Sequence, residues 1–118
     1  MRNFWFALFL FFVVSRSGLS YSFAQTYDAQ KYLREAQQYN EKADSYEREA
    51  QYYTSKGNGY IRQAEYYTKK NDSRRANTYT RWANDAFSKA QLRMKWAKEA
   101  REKASLRLKW AREAGKRV

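Results

Sequence analysis

Alanine recurs every seven residues along most of this chain, and in its first half a tyrosine stands three places after it. Read in sevens, Ala29, Ala36, Ala43, Ala50, Gly57 and Ala64 fill one column, and Tyr32, Tyr39, Tyr46, Tyr53, Tyr60 and Tyr67 fill the other. After a five-residue interruption, Asn71-Asp72-Ser73-Arg74-Arg75, the first column resumes at Ala76, Ala83, Ala90, Ala97, Ala104 and Ala111. A strict seven-residue apolar repeat is the seam of a coiled coil, and the Gln, Glu, Lys and Arg between its members favour helix. Alanine lets two helix backbones approach closely. Tyrosine fills the remaining gap with ring area and keeps its hydroxyl wet. The pattern predicts an all-α fold, either an extended helical hairpin or a three-helix Ala/Tyr heptad-repeat coiled coil. Its seam is expected to use Ala29, Tyr32, Ala36, Tyr39, Ala43, Tyr46, Ala50 and Tyr53.

Two stretches should interrupt the helix. Gly57-Asn58-Gly59 reads as a stop and turn. Asn71, Asp72 and Ser73 offer N-cap oxygens for a fresh start. The interruption there is two residues short of a heptad, which turns the seam by about 160°, far more than a supercoil absorbs. Helices are therefore expected near 27–56, 60–70 and 73–114.

Beyond the interruption the repeat doubles in length. Leu92–Ala100 returns fourteen residues later as Leu106–Ala114, changed only at Met94/Leu108 and Lys98/Arg112. On a helix this section carries two apolar ridges. Ala83, Phe87, Ala90, Met94, Ala97, Ala104, Leu108 and Ala111 are expected to form the seam. Trp82, Leu92, Trp96, Leu106 and Trp110 are expected nearly opposite it, with Arg81, Lys95 and Lys109 each just before a Trp and Lys89 and Lys103 in the intervening slots. Two readings of the tryptophan ridge stand side by side. It packs against another helix, or it is an exposed aromatic–basic face for an anionic partner, built from Arg81, Trp82, Lys89, Lys95, Trp96, Lys103, Lys109 and Trp110.

The first residues read differently from the rest. One Arg precedes an apolar block from Phe4 to Val14, and Ser22 and Ala24 are small residues placed for a cut before Gln25, so 1–24 reads as a secretory signal peptide. The block is too short to span a bilayer with ease. The chain then divides into an Ala/Tyr heptad region, 25–70, and a basic Trp/Ala region, 71–118. The expected location is secreted or extracellular, periplasmic in a bacterium.

Composition narrows the chemistry. The chain contains no Cys, no His and no Pro, which removes disulfides, thiol nucleophiles, imidazole bases and ordinary zinc sites. Carboxylates such as Glu47 and Glu49, or Glu99 and Glu102, sit among cations or point apart, and no catalytic, cofactor or metal site is expected. Only seven Leu, Ile, Val or Phe follow residue 24, against ten Tyr and three Trp, so order must come from Ala–aromatic seams rather than from a large apolar core. Charge is lopsided: Gln25–Tyr53 has four basic and six acidic residues, Thr54–Val118 eighteen and six. An acidic front and a basic back attract each other, within a hairpin or between molecules, and the surplus seeks polyanions.

Smaller signals point the same way or stay open. Asn71-Asp72-Ser73 is an N-glycosylation acceptor sequence. Lys69-Lys70, Arg74-Arg75 and Gly115-Lys116-Arg117 resemble dibasic processing sites, and the many tyrosines suit oxidative cross-linking as well as seam filling. The Ala/Tyr recurrence resembles tetratricopeptide helices only loosely, because the period there is about thirty-four, and no family is assigned. The leading expectation is a secreted, non-enzymatic structural or matrix-type repeat protein that self-associates. Its partner is an anionic polymer, mineral or membrane surface, with no small-molecule substrate, and the export signal disfavours nucleic acid. The alternative is a cationic membrane-active or defence peptide released from a precursor.

Overall fold

The computed structural model describes residues 23–116, with side chains from residue 27. Two helices account for them: α1, Phe23–Lys69, and α2, Ser73–Lys116. The fold is an all-α helical hairpin, one of the two arrangements the repeat allows. The expected leader at 1–24 lies outside the described residues except for helical backbone at 23 and 24.

The three-helix variant is ruled out because Gly57-Asn58-Gly59 does not stop α1, which runs unbroken to Lys69. Two glycines in a helix cost roughly 0.5–1 kcal/mol each relative to alanine. At Gly57 the cost has a structural cause. A β-carbon there would lie 2.5 Å from a ring carbon of Phe87, so the aromatic ring occupies the space that an alanine methyl fills elsewhere in the column. The glycine is a hole for a knob, and the chain around it consists of helix formers.

The turn falls where the interruption predicts. Asn71 adopts a left-handed conformation, φ 59°, which Asn tolerates better than other non-glycine residues. Its N–H donates to the Thr68 carbonyl at 3.1 Å, and the Asp72 N–H donates to the Tyr67 carbonyl at 2.9 Å. This is a Schellman closure of α1 with Asn in the place usual for Gly. Asp72 then caps α2, its Oδ1 accepting from the Arg75 N–H at 3.1 Å. The seven residues from Lys69 to Arg75 thus end one helix and start the next with few unsatisfied backbone groups.

Contacts divide the chain into two compact units, each built from a stretch of both helices. The turn-bearing unit is Lys42–Ala100, and the terminal unit joins the described residues up to Glu41 to those from Arg101 onward. In the turn-bearing unit the helices lie antiparallel. Ala43 (0% exposed), Ala97 and Ala100 form its innermost cluster with Tyr46 against them, and Ala50, Gly57, Ala64, Ala76, Ala83, Ala86 and Ala90 are buried along it. In the terminal unit Ala36, Ala104, Ala111 and Ala114 are buried, Tyr32 and Tyr39 are half-buried, and Ala29 is half-buried at the edge. Of the residues expected in the α1 seam, Ala36, Ala43 and Ala50 are buried and Ala29, Tyr32, Tyr39, Tyr46 and Tyr53 half-buried.

The seam of α2 needs correction. Met94 is half exposed and belongs to a flank, while Ala86, Arg93, Ala100, Arg107 and Ala114 complete the contact surface. The a/d geometry of paired helices places the second contact row three residues after each alanine, and in α2 that row alternates small alanine with long arginine. The tryptophans occupy the position just before the column alanine. They flank the seam instead of standing opposite it.

Candidate functional site

The fourteen-residue repeat acquires its meaning from what each tyrosine of α1 meets on α2. In the terminal unit, Tyr32 packs edge-to-face on Trp110 at 5.6 Å between ring centroids. One heptad on, Tyr39 lies under two cations, Lys103 at 5.7 Å and Arg107 at 5.4 Å. In the turn-bearing unit the same alternation returns. Tyr46 meets Trp96 at 5.6 Å, and Tyr53 lies under Lys89 at 5.6 Å and Arg93 at 5.4 Å. Tyr60 then meets Trp82 at 5.7 Å. Tyrosine repeats every seven residues, but its partner alternates between tryptophan and cation, so the partner helix must repeat every fourteen.

Each seam arginine is held on three sides. The Arg107 guanidinium lies over Trp110 at 4.4 Å and its Nε donates to Glu35 Oε2 at 3.4 Å. The Arg93 guanidinium lies over Trp96 at 4.6 Å and forms an ion pair with Glu49 at 3.4 Å. A planar cation sandwiched by rings and tied to a carboxylate is a use for Arg that Lys does not reproduce. The pairs Glu35–Arg107 and Glu49–Arg93 are the attraction of acidic front for basic back, realised within each unit. In the terminal unit Arg101 also donates to Asn40 Oδ1 at 3.3 Å.

The residues expected to meet an anionic partner thus separate into two sets. Trp82, Trp96, Trp110, Lys89 and Lys103 are engaged with tyrosines across the seam. Arg81, Lys95 and Lys109 are exposed, and so are Lys98 and Arg112 on the same helix. Among the described residues none of these five enters an ion pair. Leu92 and Leu106 are exposed beside the tryptophans at 41% and 42%. Asn71, the first residue of the Asn-Asp-Ser triplet, is exposed in the turn.

Arg93, Arg107, Glu35 and Glu49 were not singled out by the sequence reading, although a signal for them exists in α1. Arg34-Glu35-Ala36-Gln37-Gln38-Tyr39, Arg48-Glu49-Ala50-Gln51-Tyr52-Tyr53 and Arg62-Gln63-Ala64-Glu65-Tyr66-Tyr67 form a fourteen-residue repeat of their own, which the alanine–tyrosine heptad masks.

The third copy of this repeat breaks its own rule. Where the first two have Glu, it has Gln63, and the α2 position that carries Arg93 and Arg107 carries Tyr79. Tyr79 stacks flat on Tyr67, centroids 5.5 Å apart and planes 6° apart, and meets Trp82 edge-on at 5.2 Å. Tyr66 joins through Tyr67 at 5.1 Å and Tyr60 through Trp82 and Tyr79. Five rings are contiguous here, with Arg75 over Tyr67 at 5.4 Å and Lys70 over Tyr66 at 5.3 Å. Lys56 sits over exposed Tyr52 in the same way, and its hydrogen bond with Tyr52, followed by the charge interaction with that ring's hydroxyl, raises the ammonium pKa above the ordinary lysine value.

Among the described residues no group of acidic side chains is arranged to hold a metal ion, and no helix is long and apolar enough to cross a membrane. Comparison with known family models, curated proteins and solved structures returned no match. The functional reading rests on the residues and geometry alone.

Proposed function

We propose that this chain is an exported, non-enzymatic helical protein of structural or matrix type, which self-associates and holds anionic partners through α2. The observation that carries the reading is a division of labour among cations. Arg93, Arg107, Lys89 and Lys103 are occupied by rings and carboxylates of α1. Arg81, Lys95, Lys98, Lys109 and Arg112 face water. Helix α2 carries thirteen basic and four acidic residues, α1 seven of each, so the excess is concentrated where it is exposed. A surface of that kind attracts polyanions and is screened by salt. Exposed Leu92, Met94 and Leu106 supply apolar area for contact between molecules. The missing thiol and imidazole leave little from which to build a catalytic centre.

The test is affinity of the full chain for soluble heparin across a range of salt. Steep salt dependence is expected, and K95Q/K98Q/K109Q/R112Q should weaken binding by about tenfold or more and flatten the slope. Sedimentation equilibrium at rising concentration should show self-association. A monomeric chain indifferent to heparin at low salt contradicts the proposal.

A further inference from the structure

We propose that the turn-bearing end of the hairpin docks on an anionic phospholipid surface, using Tyr66 and Trp82 as interfacial rings and Lys69, Lys70 and Arg74 as headgroup cations. The inference rests on the anion-binding reading above and assigns it a place and a partner.

Internal repetition supplies the argument. The first two fourteen-residue modules show what holding the helices together requires: a tryptophan on one tyrosine, and an arginine tied to a glutamate on the next. The third module gives up the ion pair for Gln63 and Tyr79, and the space is taken by ring stacking. Packing does not demand the exchange, since the other modules do without it. Its consequence is that Tyr79 links Tyr60, Tyr66, Tyr67 and Trp82 into one cluster of five rings at the turn end; Tyr66 is exposed there as Tyr52 is in the second module, and Trp82, 47% exposed, is more open than the equivalent half-buried Trp96 and Trp110.

The rim of that cluster is cationic. Lys69, Lys70, Arg74 and Arg75 are exposed within seven residues, and the one carboxylate among them, Asp72, is committed to capping α2 and to Arg75 at 3.5 Å. Amphipathic rings bordered by Lys and Arg are the side chains that settle at the boundary between lipid headgroups and acyl chains. Clustered cations beside an anionic leaflet add attraction roughly in proportion to their number.

Ring geometry separates lipid from a polymer strand. Strand binders offer open ring faces in succession on which bases stack. Here Tyr66 meets Tyr67 at 81° and Tyr79 meets Trp82 at 80°, so the rings close on one another as a compact knob. A knob suits shallow insertion. With no membrane-crossing helix among the described residues, attachment is peripheral.

The experiment is co-sedimentation of the full chain with vesicles of phosphatidylcholine containing phosphatidylglycerol, with pure phosphatidylcholine vesicles and soluble heparin in parallel. Three variants are compared, with helix content checked by circular dichroism: K69Q/K70Q/R74Q at the turn, Y66S/W82S in the cluster, and K95Q/K98Q/K109Q, which removes equal charge elsewhere on α2. Binding to the anionic vesicles and not the neutral ones is expected. The turn-charge variant should lose about a hundredfold in affinity, at about fivefold per cation, and Y66S/W82S about tenfold. The K95Q/K98Q/K109Q variant should lose much less on vesicles while weakening heparin binding as much as the turn-charge variant does. Equal losses on vesicles from the two charge variants, or full affinity in Y66S/W82S, overturns the docking site. Heparin bound and vesicles ignored overturns it too and leaves the anion-binding reading standing. If neither is bound, both fall.

Discussion

The Phe87 ring stands where a β-carbon at residue 57 would be, 2.5 Å from that position, and the residue there is glycine. Helix propensity alone favours Ala at 57 by about 1 kcal/mol. The ring reverses that preference. Gly57→Ala is expected to destabilise the chain by about 1–3 kcal/mol, the range for overpacking a tight contact. Adding Phe87→Ala should recover most of the loss, because the two changes share one space. Urea unfolding midpoints of the two single variants and the double variant decide it. A stabilised Gly57→Ala would mean the ring moves aside freely.

Arg107 and Arg93 have nearly the same surroundings, but Glu35 has 30% of its side chain exposed and Glu49 48%. Screening should therefore favour the pair in the terminal unit. Arg107→Met is expected to cost about 1–2 kcal/mol and Arg93→Met about 1 kcal/mol or less. Arg→Lys at either site should recover little, since the ring sandwich needs a planar cation. Equal and negligible losses would mean these contacts do not hold the helices.

Gln63 and Tyr79 replace the glutamate and arginine of the other modules together, which predicts coupling. Tyr79→Arg alone gives up the flat stack on Tyr67 without gaining a carboxylate, and should cost about 1 kcal/mol. Tyr79→Arg with Gln63→Glu should fold as stably as the parent, within roughly 0.5 kcal/mol. Additive losses in the double-variant cycle would remove the repeat logic on which the turn-end proposal stands.

Asn71 is the one non-glycine residue with positive φ among those described. Asn71→Gly is expected to be neutral or slightly stabilising and Asn71→Ala to cost about 1 kcal/mol. Thermal melting distinguishes them, and equal melting temperatures would indicate that the turn relaxes out of the left-handed conformation.

Helix and hairpin are legible because a seven-residue period repeated many times admits few other structures. Three features are not. Gly57-Asn58-Gly59 reads locally as a stop, and only Phe87, thirty residues away in sequence, explains why helix continues through it. Arg93 and Arg107 are not legible as seam residues from α2 alone, because what makes charge tolerable there lies on the other helix, in Glu35, Glu49, Tyr39 and Tyr53. Phe87, Met94 and Leu108 make an apolar line at plausible spacing, and a seam along that line would put the tryptophans opposite it. The preference for Ala at the close-contact positions, set by how near the backbones come, overrode that line. The ring cluster at the turn was missed for a related reason: its members come from both sides of the interruption, and no single stretch of sequence shows them together.

All of this depends first on the register in which α1 and α2 meet within the turn-bearing unit. The chain has no cysteine, so a pair of introduced thiols reports that register cleanly. Ala43→Cys with Ala97→Cys, both in the innermost cluster of the turn-bearing unit, should close an intramolecular disulfide under mild oxidation of the dilute chain. Ala50→Cys with Ala97→Cys, one heptad out of step, should not. Equal cross-linking of the two pairs, or cross-links only between molecules, would contradict the register and the residue assignments built on it in the turn-bearing unit.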